Sequence, residues 1–190
     1  MGKSMSHIDI VGIGGGKYEG MTMEALESLK KADIIVINTC GFIESAKVEA
    51  INTILDTSEY KESGLSHIIV SGCLPQRYSK DILTELPEVD IVLGTSHYKD
   101  IVEAVDSLYS DSIDDYETEY ISEAGGLEHV LTSREVSTDS YAWLKIGEGC
   151  MNRCTYCAIP IIRGDFVSRP IEEVLKEANN LVSRGYTELI

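Results

Sequence analysis

The stretch Leu144-Lys-Ile-Gly-Glu-Gly-Cys150-Met-Asn-Arg-Cys154-Thr-Tyr-Cys157 sets three cysteines in a C-x3-C-x2-C run just after an apolar, strand-like segment. On a loop, that spacing lets three thiolates wrap one face of a cube of iron and sulfide. Three ligands leave one iron of the cube open to a small molecule, whereas an electron carrier normally supplies a fourth cysteine. The competing reading is a zinc knot. Structural zinc sites take four ligands in paired spacing, and no partner pair stands nearby. Three of the five cysteines crowd into this run, which suits reduced thiols binding metal better than a disulfide framework.

Around the run, Tyr141 to Ile146 reads as a strand and Cys150 to Phe166 as a long loop. Ile171 to Arg184 then has helical spacing and is ended by Gly185, and Thr187 to Ile190 begins another strand. This is one βα unit of what should be a repeating α/β domain. A lone unit cannot bury its own sheet, so the chain reads as a fragment.

Toward the N-terminus, strand and helix signals alternate. His7 to Ile13 is strand-like and ends at the glycines Gly12, Gly14, Gly15 and Gly16. Thr22 is a fair N-cap for a helix carrying Met23, Leu26 and Leu29 and closing at Lys30 and Lys31. Strands are expected at Ile34 to Asn38, His67 to Ser71 and Val89 to Leu93. Helices are expected around Val48 to Leu55, over Asp81 to Leu86 and through Ile101 to Leu108. The alternation means a parallel α/β sheet. Ser110 to Glu123 is acidic and has no period, so the expected organisation is an α/β domain over 1–108, an acidic linker over 109–140 and a second domain from 141 to 190.

Composition narrows the function classes. With 190 residues, 43% hydrophobic and 25% charged, the chain is globular in composition. A formal net charge of -16 argues against direct nucleic-acid binding, because neutralising phosphates needs an excess of Lys and Arg; a basic partner suits it better. No apolar run reaches membrane-span length and Met1 to Ser6 lacks a signal-peptide core, so the expectation is a cytoplasmic protein without a membrane partner. His7, His67, His97 and His129 share no spacing that points to a common metal.

Two segments flanking the cysteines carry a resemblance. Leu144-Lys-Ile-Gly-Glu-Gly-Cys150 and Ala158-Ile-Pro-Ile-Ile-Arg-Gly164 resemble the methylthiotransferases among radical S-adenosylmethionine (SAM) enzymes. Asn38-Thr39-Cys40-Gly41-Phe42-Ile43-Glu44, together with Ala158-Ile-Pro160, looks like the branch that acts on a ribosomal-protein aspartate rather than the tRNA-modifying branch. The resemblance runs from about Asp33 to Ile190. It implies a flavodoxin-like parallel-sheet domain followed by the start of a radical SAM partial TIM barrel. It further implies SAM bound at a 4Fe-4S cluster held by Cys150, Cys154 and Cys157. One-electron cleavage of SAM would lead to hydrogen removal from the β-carbon of an aspartyl residue of small-subunit ribosomal protein twelve, and a methylthio group would be added there. The electron would come from a donor such as flavodoxin or ferredoxin. Arg163, Ser168 and Arg169 would lie around SAM or the protein substrate, although an exposed arginine is equally a solvated charge.

The same family delivers sulfur from a second 4Fe-4S cluster. Cys40 and Cys73 follow the strands ending at Asn38 and Ser71, at the sheet edge where open α/β folds bind ligands. The alternative is that both are small buried hydrophobes. A third thiolate should come from the tip of the first strand, where Gly14, Gly15 and Gly16 stand instead, so a weak or absent second cluster is expected. Ile8-Asp-Ile-Val-Gly-Ile-Gly-Gly-Gly16 and Met21 to Asp33 look instead like the start of a tetrapyrrole (cobalt-precorrin) methyltransferase, which suggests a mosaic joined near Lys31 to Val36. On pattern alone the glycines simply make a turn. An inactive iron-sulfur or zinc-binding fragment, and a tetrapyrrole methyltransferase resting on the N-terminal segment alone, complete the alternatives.

Overall fold

The computed structural model describes residues 22–109, 116–127 and 140–190. The glycine-rich turn at Gly14 to Gly16, the strand expected at His7 to Ile13, and His7 and His129 lie outside the described residues. Helix α1 (Met23–Lys31) begins where the sequence places it, because the Thr22 hydroxyl oxygen accepts from Ala25 N at 3.1 Å and caps the first turn. Its two C-terminal lysines complement the negative end of the helix.

Four strands form a parallel sheet in the order β1 (Ile34–Thr39), β2 (His67–Gly72), β3 (Ile91–Leu93), β4 (Glu119–Tyr120). Between them run α2 (Glu44–Ser58), α3 (Cys73–Glu85) and α4 (Ile101–Ser107). β2 and β3 are continuous apolar runs because both faces of a parallel sheet are covered; Ile68, Ile69, Val70, Ile91, Val92 and Leu93 are all fully buried. On one face Ile35, Ile37, Ile54, Ile68, Val70 and Ile82 pack together, and on the other Ile69, Ile91, Leu93, Ala104 and Tyr120 do.

Among the described strands the order is sequential: β1 pairs directly with β2 and β2 with β3. The α/β class with a parallel sheet holds for these strands; the strand expected at His7 to Ile13, whose place in the sheet would decide a flavodoxin-like winding, lies outside the described residues. Two expectations are corrected. The helix expected over Asp81 to Leu86 starts earlier, at Cys73, with Pro75 in its first turn, where a proline costs no intrahelical hydrogen bond, and with a kink at Tyr78 (φ -136°, ψ 31°). Finally, the acidic segment is more than a connector, since Glu119 and Tyr120 pair with Val92 and Leu93 to form the edge strand β4.

The second unit holds β5 (Tyr141–Ala142), which pairs in parallel with β8 (Glu188–Leu189) across α6 (Ile171–Ser183). This is the expected strand, helix, strand unit, with β5 shorter than predicted. β6 (Gly147–Glu148) pairs antiparallel with β7 (Val167–Ser168) and closes the base of the cysteine loop. Within that loop Ile159–Arg163 forms the short helix α5, where the sequence suggested only irregular chain. Gly185, at φ 96°, ends α6 as predicted.

Candidate metal centre

The cysteine loop owes its shape to two glycines and one arginine. Gly149 has φ 79°, and a Cβ there would stand 2.2 Å from the Asp165 carbonyl oxygen; Gly164 has φ 74°, and a Cβ there would meet the Ala124 carbonyl oxygen at 2.1 Å. Only glycine fits either position. Between these ends Cys150 N donates to Gly164 O (3.1 Å), and Cys157 N donates to Cys154 O (3.0 Å) in a tight turn. Arg153 adopts the left-handed conformation (φ 51°) and pairs with Asp165 across the loop. The backbone from Gly149 to Ala158 thus carries the three cysteines on irregular chain held at both ends.

All five cysteines are free thiols; Cys150 and Cys157 are half-buried and Cys154 is exposed. Among the described residues no three His, Cys, Asp or Glu side chains converge tightly enough to grip a single metal ion. A zinc knot requires four ligands at about 2.3 Å or less. Three free thiols spread over one loop fit in number and chemistry a cluster that uses three protein ligands. Tyr156, between Cys154 and Cys157, is 91% exposed.

The loop docks on the carboxyl edge of the four-stranded sheet. Ile162 of α5 is buried, and its carbonyl accepts a 2.5 Å hydrogen bond from the Thr95 hydroxyl, itself buried just beyond β3. The same edge carries Cys40 and Cys73. The register pairs Thr39 with Gly72, so the two cysteines follow neighbouring strand ends. Gly41 allows the two loops to touch, because a Cβ there would lie 2.8 Å from Leu74 Cα, and Arg77 Nη1 donates to Gly41 O at 2.5 Å. Cys40 and Cys73 are the only cysteines of the sequence outside the C-x3-C-x2-C run. Two thiols do not fit a three-thiolate cluster site.

The three residues expected around SAM or substrate separate. The Arg169 side chain is buried; its Nη1 donates to Glu177 Oε2 (2.5 Å) and Lys145 O (2.8 Å), so its charge ties α6 to the segment between β5 and β6. Ser168 is exposed on β7. Arg163, at the end of α5, turns to the N-terminal edge: Nη2 donates to Cys73 Sγ at 3.7 Å, and Nη1 lies 3.7 Å from Glu148 Oε2, which Lys145 also holds. Tyr98 joins this group. Burial pushes its phenol up, opposed by the charge and hydrogen bond of Arg163. Sequence reading missed Tyr98, Glu148 and Thr95, because Arg163 and Ile162, which they face, are distant in the chain, and it missed Lys145, whose i,i+3 pairing with Glu148 looks like an ordinary surface ion pair.

The comparisons with known proteins agree with this arrangement. The family described as "Uncharacterized protein family UPF0004" matches residues 5–94, and the radical SAM superfamily matches residues 144–190. The first match runs through the segment that resembles a tetrapyrrole methyltransferase. The loop and the match to it define a radical SAM protein. Among curated relatives, the ribosomal protein uS12 methylthiotransferase RimO of Acetivibrio thermocellus is 46% identical over 171 residues, covering 88% of this chain and 38% of the relative. That of Alkaliphilus oremlandii is 46% identical over 175 residues (92% and 38%), and that of Lachnoclostridium phytofermentans 50% over 162 residues (84% and 36%). The chain belongs to the radical SAM methylthiotransferase family, and it spans less than two fifths of the length of these relatives. Membership implies SAM and 4Fe-4S clusters as cofactors. No helix among the described residues is long and apolar enough to cross a membrane.

Proposed function

We propose that this chain supplies the N-terminal sheet and the cluster loop of an enzyme that adds a methylthio group to the β-carbon of an aspartyl residue of ribosomal protein uS12. The observation that carries the reading is the docking of the three-cysteine loop, through Ile162 and Thr95, onto the sheet edge that bears Cys40 and Cys73. Cys150, Cys154 and Cys157 would hold a cluster whose chemistry, when bound, is one-electron cleavage of SAM. This chain's own residues do the rest. Gly149 and Gly164 let the loop fold back on itself, and the Arg153–Asp165 pair clamps it. The Arg169–Glu177 pair fixes the helix that follows. The formal charge of -16 favours a basic ribosomal protein as partner, with a small electron-carrier protein such as flavodoxin or ferredoxin as reductant, in the cytoplasm. With two thiols at the N-terminal edge, slow sulfur delivery is the expected weakness.

A hybrid in which this chain replaces the matching part of the Acetivibrio thermocellus relative tests the reading. Loaded anaerobically with iron and sulfide, it is expected to cleave SAM and to put a methylthio group on uS12, detected by mass spectrometry, more slowly than the relative does. Modification of tRNA instead of uS12, or no SAM cleavage in the iron-loaded hybrid, overturns the proposal.

A further inference from the structure

Arg163, at the end of α5, brings the cysteine loop against Cys73 at the carboxyl edge of the four-stranded sheet. Its side chain is three-quarters buried and its guanidinium is forked: Nη2 reaches Cys73 Sγ at 3.7 Å while Nη1 faces Glu148 Oε2 at 3.7 Å. Glu148, on β6 at the base of the loop, is shared with Lys145. Two cations thus face one carboxylate, and the remaining positive charge points at sulfur. Tyr98, from the short 3-10 turn beyond β3, also hydrogen-bonds Arg163. The arrangement is built from three separate segments, and it is the fixed fork of arginine, rather than a mobile ammonium, that can hold both partners at once.

We propose that Arg163 is a positioning residue that holds the Cys73 sulfur against the cysteine loop by a charge-assisted N–H···S contact, so that the two cysteine groups form one site. This rests on the reading above for its purpose, but not for its test. Donors to a ligating sulfur orient it and tune whatever it binds. Arg163 ends the helix that follows Cys157, so the contact joins the loop's own helix to Cys73.

The test uses the metal-free chain at one pH and reads a quantity that a purely structural role would leave alone. Cys73 and Cys40 are alkylated in parallel with iodoacetate, which is anionic, and iodoacetamide, which is neutral, and the rates are followed residue by residue by mass spectrometry. The ratio of the two rates cancels differences in access and reports the local charge. In Arg163→Gln the ratio at Cys73 is expected to fall by roughly fivefold, the effect of one unit charge across about 4 Å of water. Arg163→Lys should restore only part of it, because an ammonium keeps the charge but cannot hold Glu148 and the Cys73 sulfur together, and the ratio at Cys40 should not move. An unchanged ratio at Cys73, or an equal change at Cys40, overturns the proposal. Neither result depends on iron, so failure of iron loading would overturn the cluster reading and leave this test standing.

Discussion

The two parts of the chain use the same strand and helix grammar with opposite degrees of completion. In the N-terminal sheet, β2 and β3 are sealed on both faces and every apolar residue of β3 is out of water. In the C-terminal unit, Trp143, Ile146, Ile171, Leu175, Val182 and Ile190 stand exposed around a two-residue strand pair, while Leu181 is the one fully buried position of α6. The amphipathic pattern of α6 is as clear as that of any helix in the sheet domain. A pattern specifies a face, and only a neighbour buries it. Stability therefore resides in the first unit, whereas the cysteine loop of the second is held by its docking on that unit.

Substitutions can break this contrast. The largest expected effect is in the sheet: Ile69→Ala should cost about 2–5 kcal/mol, read as a lower urea midpoint at unchanged slope. A loss below about 1 kcal/mol would mean that the sheet core does not carry the stability. Next comes the docking, where Thr95→Val leaves the buried Ile162 carbonyl without its donor and should cost about 1–3 kcal/mol. Hydrogen exchange should then show faster opening of Ile159–Arg163 than of β2; equal acceleration in both would argue against docking as a separate contribution. Thr22→Ala removes the cap of α1 and should cost about 1 kcal/mol, visible as fraying of that helix alone. Smallest is Leu175→Ser, a change within about 0.5 kcal/mol, because its side chain is 56% exposed. A large loss there would show that α6 is covered in solution.

The sequence made the locally encoded parts legible. The Thr22 cap, the apolar runs of β1 and β2 and the Gly185 stop all depend on neighbours within a few residues. Where pairing is long-range, reading failed. Glu119 and Tyr120 look like part of an acidic connector and become a strand only because Val92 and Leu93 offer them an edge. The start of α3 was hidden by Pro75 and by apolar spacing that begins only past the kink at Tyr78. At the site, the cysteine spacing announced three ligands, yet nothing in the sequence told that Arg163 faces Cys73 while Arg169 is committed to Glu177.

The central claim is that Cys150, Cys154 and Cys157 are the protein ligands of one iron-sulfur cluster and that Cys40 is not among them. Anaerobic reconstitution with iron and sulfide, followed by metal analysis and the reduced electron paramagnetic resonance signal, tests it in the unmodified chain, Cys150→Ala and Cys40→Ala. The account predicts about four irons per chain, lost in Cys150→Ala and kept in Cys40→Ala. Bound zinc in place of iron, or iron that persists in Cys150→Ala, would contradict it.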